Sequence, residues 1–103
     1  MARAALQAEG WQMLAERHRT PEGELDLVAE KDGLLAFIEV KARPSWREAA
    51  FALTPRQQSR LTAAAEIWLA QNPGHGACGI RFDVMLVAAD GSVRRITDAL
   101  RET

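Results

Sequence analysis

The segment GELDLVAEKDGLLAFIEVKAR, Gly23 to Arg43, decides the fold. At its centre Asp32-Gly33 is a two-residue hairpin signal, because both residue types tolerate the positive φ of a tight turn. The flanking runs alternate. In the first, Leu25, Leu27 and Ala29 fall on one face, and Glu24, Asp26 and Val28 on the other. In the second, Leu34 to Lys41, Ile38 and Val40 share a face, and Phe37, Glu39 and Lys41 take the opposite one. Two antiparallel strands are expected, with acids and a lysine at positions where a strand normally prefers Val or Ile.

Working outward, residues 2–9 (ARAALQAE) read as a short Ala-rich helix ended by Gly10. Trp11 to Arg17 is expected to form a strand, and His18 to Gly23, with Pro21 and Gly23, a turn. Downstream, Ala42 to Leu53 reads as irregular, with Pro44, Ser45 and Trp46; a plain connector and a mobile loop facing a bound ligand are both open to it. Thr54-Pro55-Arg56-Gln57 then opens a helix: Thr as N-cap, Pro at the first helical position and Gln as capping-box partner. That helix should run to about Gln71 and stop before Pro73-Gly74. Leu61, Ala64, Ala65 and Trp68 form its inner stripe, which makes Trp68 a core residue and not a stacking platform. Ile80 to Ala88 is a nearly continuous apolar strand interrupted by Asp83, which is given no catalytic role and is placed to pair with Arg81 or another neighbour. Asp90-Gly91 turns the chain into Val93 to Ile96, and Thr97 is placed to cap a last short helix. The order is αβββαβ plus one strand, and a mixed α/β sheet flanked by helices is the layer arrangement that buries it.

The 103 residues fit one domain, 1–103, with 48% hydrophobic and 26% charged residues, the composition of an ordinary globular protein. No apolar run is long enough to span a bilayer and no signal peptide is visible, so a cytoplasmic protein without a membrane partner is expected. Cys78 is alone, which excludes an intrachain disulfide and a multi-cysteine zinc site; it reads as a small loop residue. His18 and His75 read as turn and surface-loop residues.

The net charge of −1 excludes a basic nucleic-acid coat, but the charge is unevenly distributed. Residues 1–40 carry eight acids and four bases, whereas residues 41–60 carry five bases (Lys41, Arg43, Arg47, Arg56, Arg60) against Glu48. A basic block directly after an acidic strand pair suits a site that binds a metal and a polyanion. A solvated charged surface has the same pattern.

The hairpin makes its strands neighbours, roughly 5 Å apart, so Asp26, Glu39 and Lys41 converge if their polar faces coincide. Converging carboxylates repel unless a cation or proton separates them. A hard divalent ion such as Mg²⁺ takes one or two carboxylates, completed by water and phosphate, and Lys41 is then a point charge beside the phosphate or the attacking water. This points to metal-dependent phosphodiester hydrolysis. A half-exposed sheet with a charged outer face remains open on the same residues.

Taken together with LTPRQQSRL and RFDVMLV, the opening segment closely resembles the YraN-like family of bacterial proteins, over almost the whole chain. These proteins resemble the restriction-endonuclease-like superfamily, with an αβββαβ core and a (P)D…(D/E)-x-K motif. The resemblance implies that Asp26, Glu39 and the Val40 carbonyl hold Mg²⁺ or Mn²⁺ and that Lys41 assists the water. It implies DNA as partner, including branched or damaged DNA of the kind cut by Holliday-junction resolvases, with Arg43, Arg56 and Arg60 contacting phosphates. Leu25 stands where the motif has proline. The family pattern favours asparagine at His18, lysine at Gln57 and arginine at Ser59. Its first-helix glutamate aligns before Met1, which implies a shortened start and leaves Glu9, one turn on from Leu6, as a poor substitute. Two other functions stand beside the nuclease. One is a nucleic-acid-binding module that keeps the fold without turnover. The other is an interaction protein whose strand edges pair with another subunit, as in a homodimer.

Overall fold

The computed structural model describes residues 2–42 and 53–99. The elements are α1 (Ala2–Ala8), β1 (Gln12–Thr20), β2 (Gly23–Lys31), β3 (Leu34–Ala42), α2 (Pro55–Gln71), β4 (Gly79–Val87) and β5 (Val93–Ile96). They form a five-stranded sheet in the order β1-β2-β3-β4-β5. The first three strands are an antiparallel meander; β3 and β4 run parallel, and β5 returns antiparallel to β4. This is the expected mixed α/β sheet, with αβββαβ order and one added edge strand.

The turn between β2 and β3 has the anticipated geometry, with positive φ at Asp32 (51°) and Gly33 (81°), as a type I′ hairpin requires. A methyl group on Gly33 would meet the Cys78 sulfur at 2.8 Å, so this turn also packs closely against the loop before β4. Cys78 itself is exposed and unpaired.

The helices cover opposite faces. Ala2 and Leu6 of α1 join Trp11, Leu27, Ala29, Ala36, Ile38 and Met85 in one buried cluster. Leu61, Ala64, Ala65 and Trp68 of α2 join Leu25, Val28, Leu35 and Phe37 in the other. Phe37 is fully buried there, edge-on to Trp68 and stacked on Phe82. Because β2 and β3 are covered on both sides, their apolar residues occupy both faces.

α2 has the bounds and buried stripe read from the sequence. The Thr54 hydroxyl accepts from Gln57 N–H at 3.2 Å, and Gln57 Oε1 accepts from Thr54 N–H at 2.9 Å, which closes the capping box. Asp83 is fully buried on β4 and accepts two hydrogen bonds from Arg81, both at 2.8 Å, and one from Asp98 N–H at 3.0 Å. The Arg81 guanidinium lies 5.8 Å from the centre of the Trp11 ring, which ties β4 to the α1 side.

Several expectations fail. β1 continues through His18 to Thr20, because its pairing with β2 carries on through His18↔Leu25 to Thr20↔Gly23, so His18 is a strand residue. Leu25 does not share a cluster with Leu27 and Ala29; it packs on the α2 side. Strict alternation breaks where the β2–β3 ladder ends at Leu27↔Ile38 and where Arg17, beside Asp26's position on the neighbouring strand, takes φ 50°. A second irregularity lies between Met13 and Ala15, where Leu14 is the extra residue of a bulge. His75 does lie in the loop before β4, as expected, and there its Nδ1 lies 3.1 Å from Glu30 Oε1 and its ring 5.6 Å from that of Trp68. Thr97 lies in a turn, and residues beyond Ala99 lie outside the described part, as does most of the connector expected over 42–53. No described helix is long and apolar enough to cross a membrane.

Candidate functional site

The hairpin that sets the fold also assembles the charged cluster. Its ladder runs from Lys31↔Leu34 to Leu27↔Ile38 and then stops. Beyond that point Asp26 Oδ2 accepts a hydrogen bond from Val40 N–H at 2.8 Å. A side-chain carboxylate thus satisfies a strand donor that a continued ladder would have used. On β3, the period-two spacing sets Glu39 and Lys41 on one face, with Lys41 Nζ 3.3 Å from Glu39 Oε1. Their side chains are 19% and 16% exposed, recessed but reachable by solvent.

Asp26, Glu39 and Lys41 therefore come together as the sequence suggested. Burial pushes the Glu39 carboxyl above its ordinary range, and the neighbouring Asp26 charge raises it further; Lys41 opposes both. Two acids and one ammonium share a partly dehydrated space, with one carboxylate held by backbone and the other by the lysine. Among the described residues, no group of three or more His, Cys, Asp or Glu is placed to hold a metal ion. Glu9 is engaged elsewhere, 3.0 Å from Arg95.

The cluster opens to both faces of the sheet. On the α1 side lies a cavity of about 400 Å³ whose lining includes Arg3, Glu16, Arg17, Glu24, Asp26 and Val40. On the α2 side a cavity of about 190 Å³ is lined by Gly23, Glu24, Glu39, Gln57, Arg60 and Leu61. Glu24 borders both, and its carboxylate lies 3.6 Å from the Arg19 guanidinium.

Of the expected phosphate-contact residues, Arg60 stands in the cavity of Glu39. Arg56 is exposed one turn earlier and lines neither cavity. Arg43 lies outside the described residues. Sequence reasoning missed Arg3, Glu16 and Arg17, which belong to a strand and helix whose patterns gave no sign of the site. Gln57, read as a capping residue and as a position where the family pattern favours lysine, also lines the cavity beside Glu39. The period-two relation of Glu24 to Asp26 was the signal available for Glu24.

The fold and this geometry define an αβββαβ domain with a two-carboxylate, one-lysine cluster at the split end of its central hairpin. The chain belongs to the family described as Uncharacterised protein family UPF0102, whose model matches residues 1–87 and so ends with β4. This is the YraN-like family that the sequence resembles. A UPF0102 protein of Granulibacter bethesdensis is 58% identical over 101 residues, 98% of this chain and 64% of its own length. One from Rhodopseudomonas palustris is 56% identical over 87 residues, 84% of this chain and 66% of the relative. One from Bradyrhizobium diazoefficiens is 50% identical over 98 residues, with 95% and 74% covered. The chain thus spans less than two thirds of the length of the Granulibacter relative.

Proposed function

We propose that this protein is a nucleic-acid-binding module that keeps a restriction-endonuclease-like fold, with DNA as its partner. The observation that carries this reading is that Arg60, in the second turn of α2, lines one cavity with Glu39, whose carboxylate lies 3.3 Å from Lys41 Nζ. Arg56, one turn away and exposed, extends the cationic edge. Such residues contact phosphates and set register without reading sequence. Within the cluster, Asp26 is satisfied by Val40 N–H and Glu39 by Lys41, so its charges are balanced largely from within.

A second reading, a metal-dependent endonuclease acting on branched or damaged DNA, is favoured by the convergence of Asp26 and Glu39. The donor set fits a hard divalent ion as a partial site: two carboxylates, with the Val40 carbonyl as the third oxygen, would hold Mg²⁺ or Mn²⁺. Bound there, the ion would supply polarisation of a phosphoryl oxygen and acidification of a water. The chain's own contributions are distinct. Lys41 Nζ would stabilise charge on the phosphate or orient the water, Asp26 would be fixed in place by Val40 N–H, and Arg60 would hold a neighbouring phosphate.

One experiment separates the readings. End-labelled single-stranded, duplex and four-way-junction DNA are incubated with wild-type protein and Glu39→Gln, with Mg²⁺, Mn²⁺ or EDTA. Binding is followed in parallel by fluorescence anisotropy. Binding that persists in EDTA, with no cleavage in Mg²⁺ or Mn²⁺, is the expected result. Metal-dependent cutting lost in Glu39→Gln would establish the nuclease instead, and absence of both binding and cutting would reject both readings.

A further inference from the structure

Arg17 is the least expected residue at this site. It lies inside β1, yet its φ of 50° is in the left-handed region, which a non-glycine residue in mid-strand rarely adopts. Backbone held in that region by surrounding structure recurs at binding and catalytic sites. Arg17 lines the cavity on the α1 side together with Glu16, Glu24 and Asp26. In that acid-rich setting the other arginine, Arg3, pairs with Glu16 at 2.8 Å, and Arg19 approaches Glu24 at 3.6 Å. Arg17, which is exposed, makes no ion pair or side-chain hydrogen bond with any described residue. A guanidinium that borders several carboxylates and engages none is left with its five donors available to an incoming anion.

We propose that Arg17 forms a second phosphate subsite, on the α1 face of the sheet, opposite the one at Arg60 on the α2 face. The acid–lysine cluster then lies between two guanidinium groups, each in its own cavity, with Glu24 bordering both cavities. The ligand is a polyanion with regularly spaced phosphates, namely a nucleic-acid strand that passes the open end of the β2–β3 ladder and contacts both faces. A ligand with one phosphate would fill one cavity only. The subsite presupposes the nucleic-acid reading above, and it adds a face of the molecule that Arg56 and Arg60 do not cover.

The test is anisotropy titration of a fluorescein-labelled single-stranded oligonucleotide with the full chain, from 50 to 200 mM NaCl, in EDTA, for wild type, Arg17→Asn, Arg17→Lys and Arg60→Ala. Asparagine accepts the left-handed backbone while removing the charge. Loss of one phosphate contact lowers the magnitude of the salt slope by about 0.7 and the affinity about fivefold at 0.1 M salt. That result is expected for Arg17→Asn, with an unchanged or higher melting temperature and with Arg17→Lys retaining most of the slope. Arg60→Ala should show a comparable and separate loss. Wild-type binding with an unchanged slope in Arg17→Asn would overturn the subsite while leaving the general reading intact. A lower melting temperature in Arg17→Asn at unchanged slope would reassign Arg17 to a structural role. No binding by wild type would remove both.

Discussion

Substitution of Asp83 by Ala is the most demanding test of how the sheet is held beside the cluster. Asp83 is 0% exposed and binds Arg81 through both oxygens, while its Oδ1 also takes Asp98 N–H. Breaking one side of a buried ion pair costs about 3–5 kcal/mol, chiefly because a charge is left without a partner. The Arg81 side chain is 24% exposed and its guanidinium also faces Trp11, so water and the ring recover part of that loss. The low end of the range, about 3 kcal/mol, is therefore expected. For a domain of this size that corresponds to a fall in melting temperature of roughly 12–24 °C. Thermal unfolding followed by far-UV circular dichroism measures it directly. Arg81→Met combined with Asp83→Leu removes both charges and should recover much of the lost stability. A drop below about 4 °C in Asp83→Ala would refute the reading of the buried Asp83 carboxylate, with its bonds to Arg81 and Asp98 N–H, as a principal stabilising contact of β4.

The other stability predictions concern the loop before β4 and the start of α2. Glu30 accepts from Gly76 N–H at 2.8 Å, and this bond, helped by His75, holds its carboxyl below the ordinary 4.5. A depressed folded value means the contribution is fully present above about pH 4.5 and is lost as pH falls through the folded value. Urea unfolding across pH 3–7 should show this acid-side loss in wild type, and Glu30→Gln should flatten it; an unchanged profile would remove Glu30 as its source. Thr54→Ala opens the capping box and should cost about 1 kcal/mol, visible as a lower urea midpoint. An unchanged midpoint would mean that the box adds nothing to the folded chain.

Legibility followed the range of the physical signal. Asp32-Gly33, Thr54-Pro55 with Gln57, and the Leu61–Trp68 stripe are complete within a few residues, and each appears in the structure as read. Asp26, Glu39 and Lys41 were legible because one tight turn joins their strands and two-residue periodicity fixes their faces. Leu25 was misplaced because the alternation rule assumes an unbroken ladder, and this ladder ends two residues away. The Glu30–His75 contact spans 45 residues and depends on where β4 returns, which no local pattern encodes. Arg17 carries no sequence mark at all, since its distinguishing property is a backbone angle imposed by its neighbours.

The type I′ turn has a consequence for the reliability of the charged cluster. In a two-residue hairpin, parity is everything: a slip of one position exchanges the two faces of β3. Glu39 and Lys41 have the same parity as Leu35 and Phe37, which are buried against α2. A misregistered strand would therefore force Leu35 and Phe37 into the space that Ala36 and Ile38 fill on the α1 side, in the same stroke that turned Glu39 away from the cavity of Arg60. The apolar residues of β3 thus act as a proofreading device for the polar ones, and any chain that has found its core has also aligned its charges.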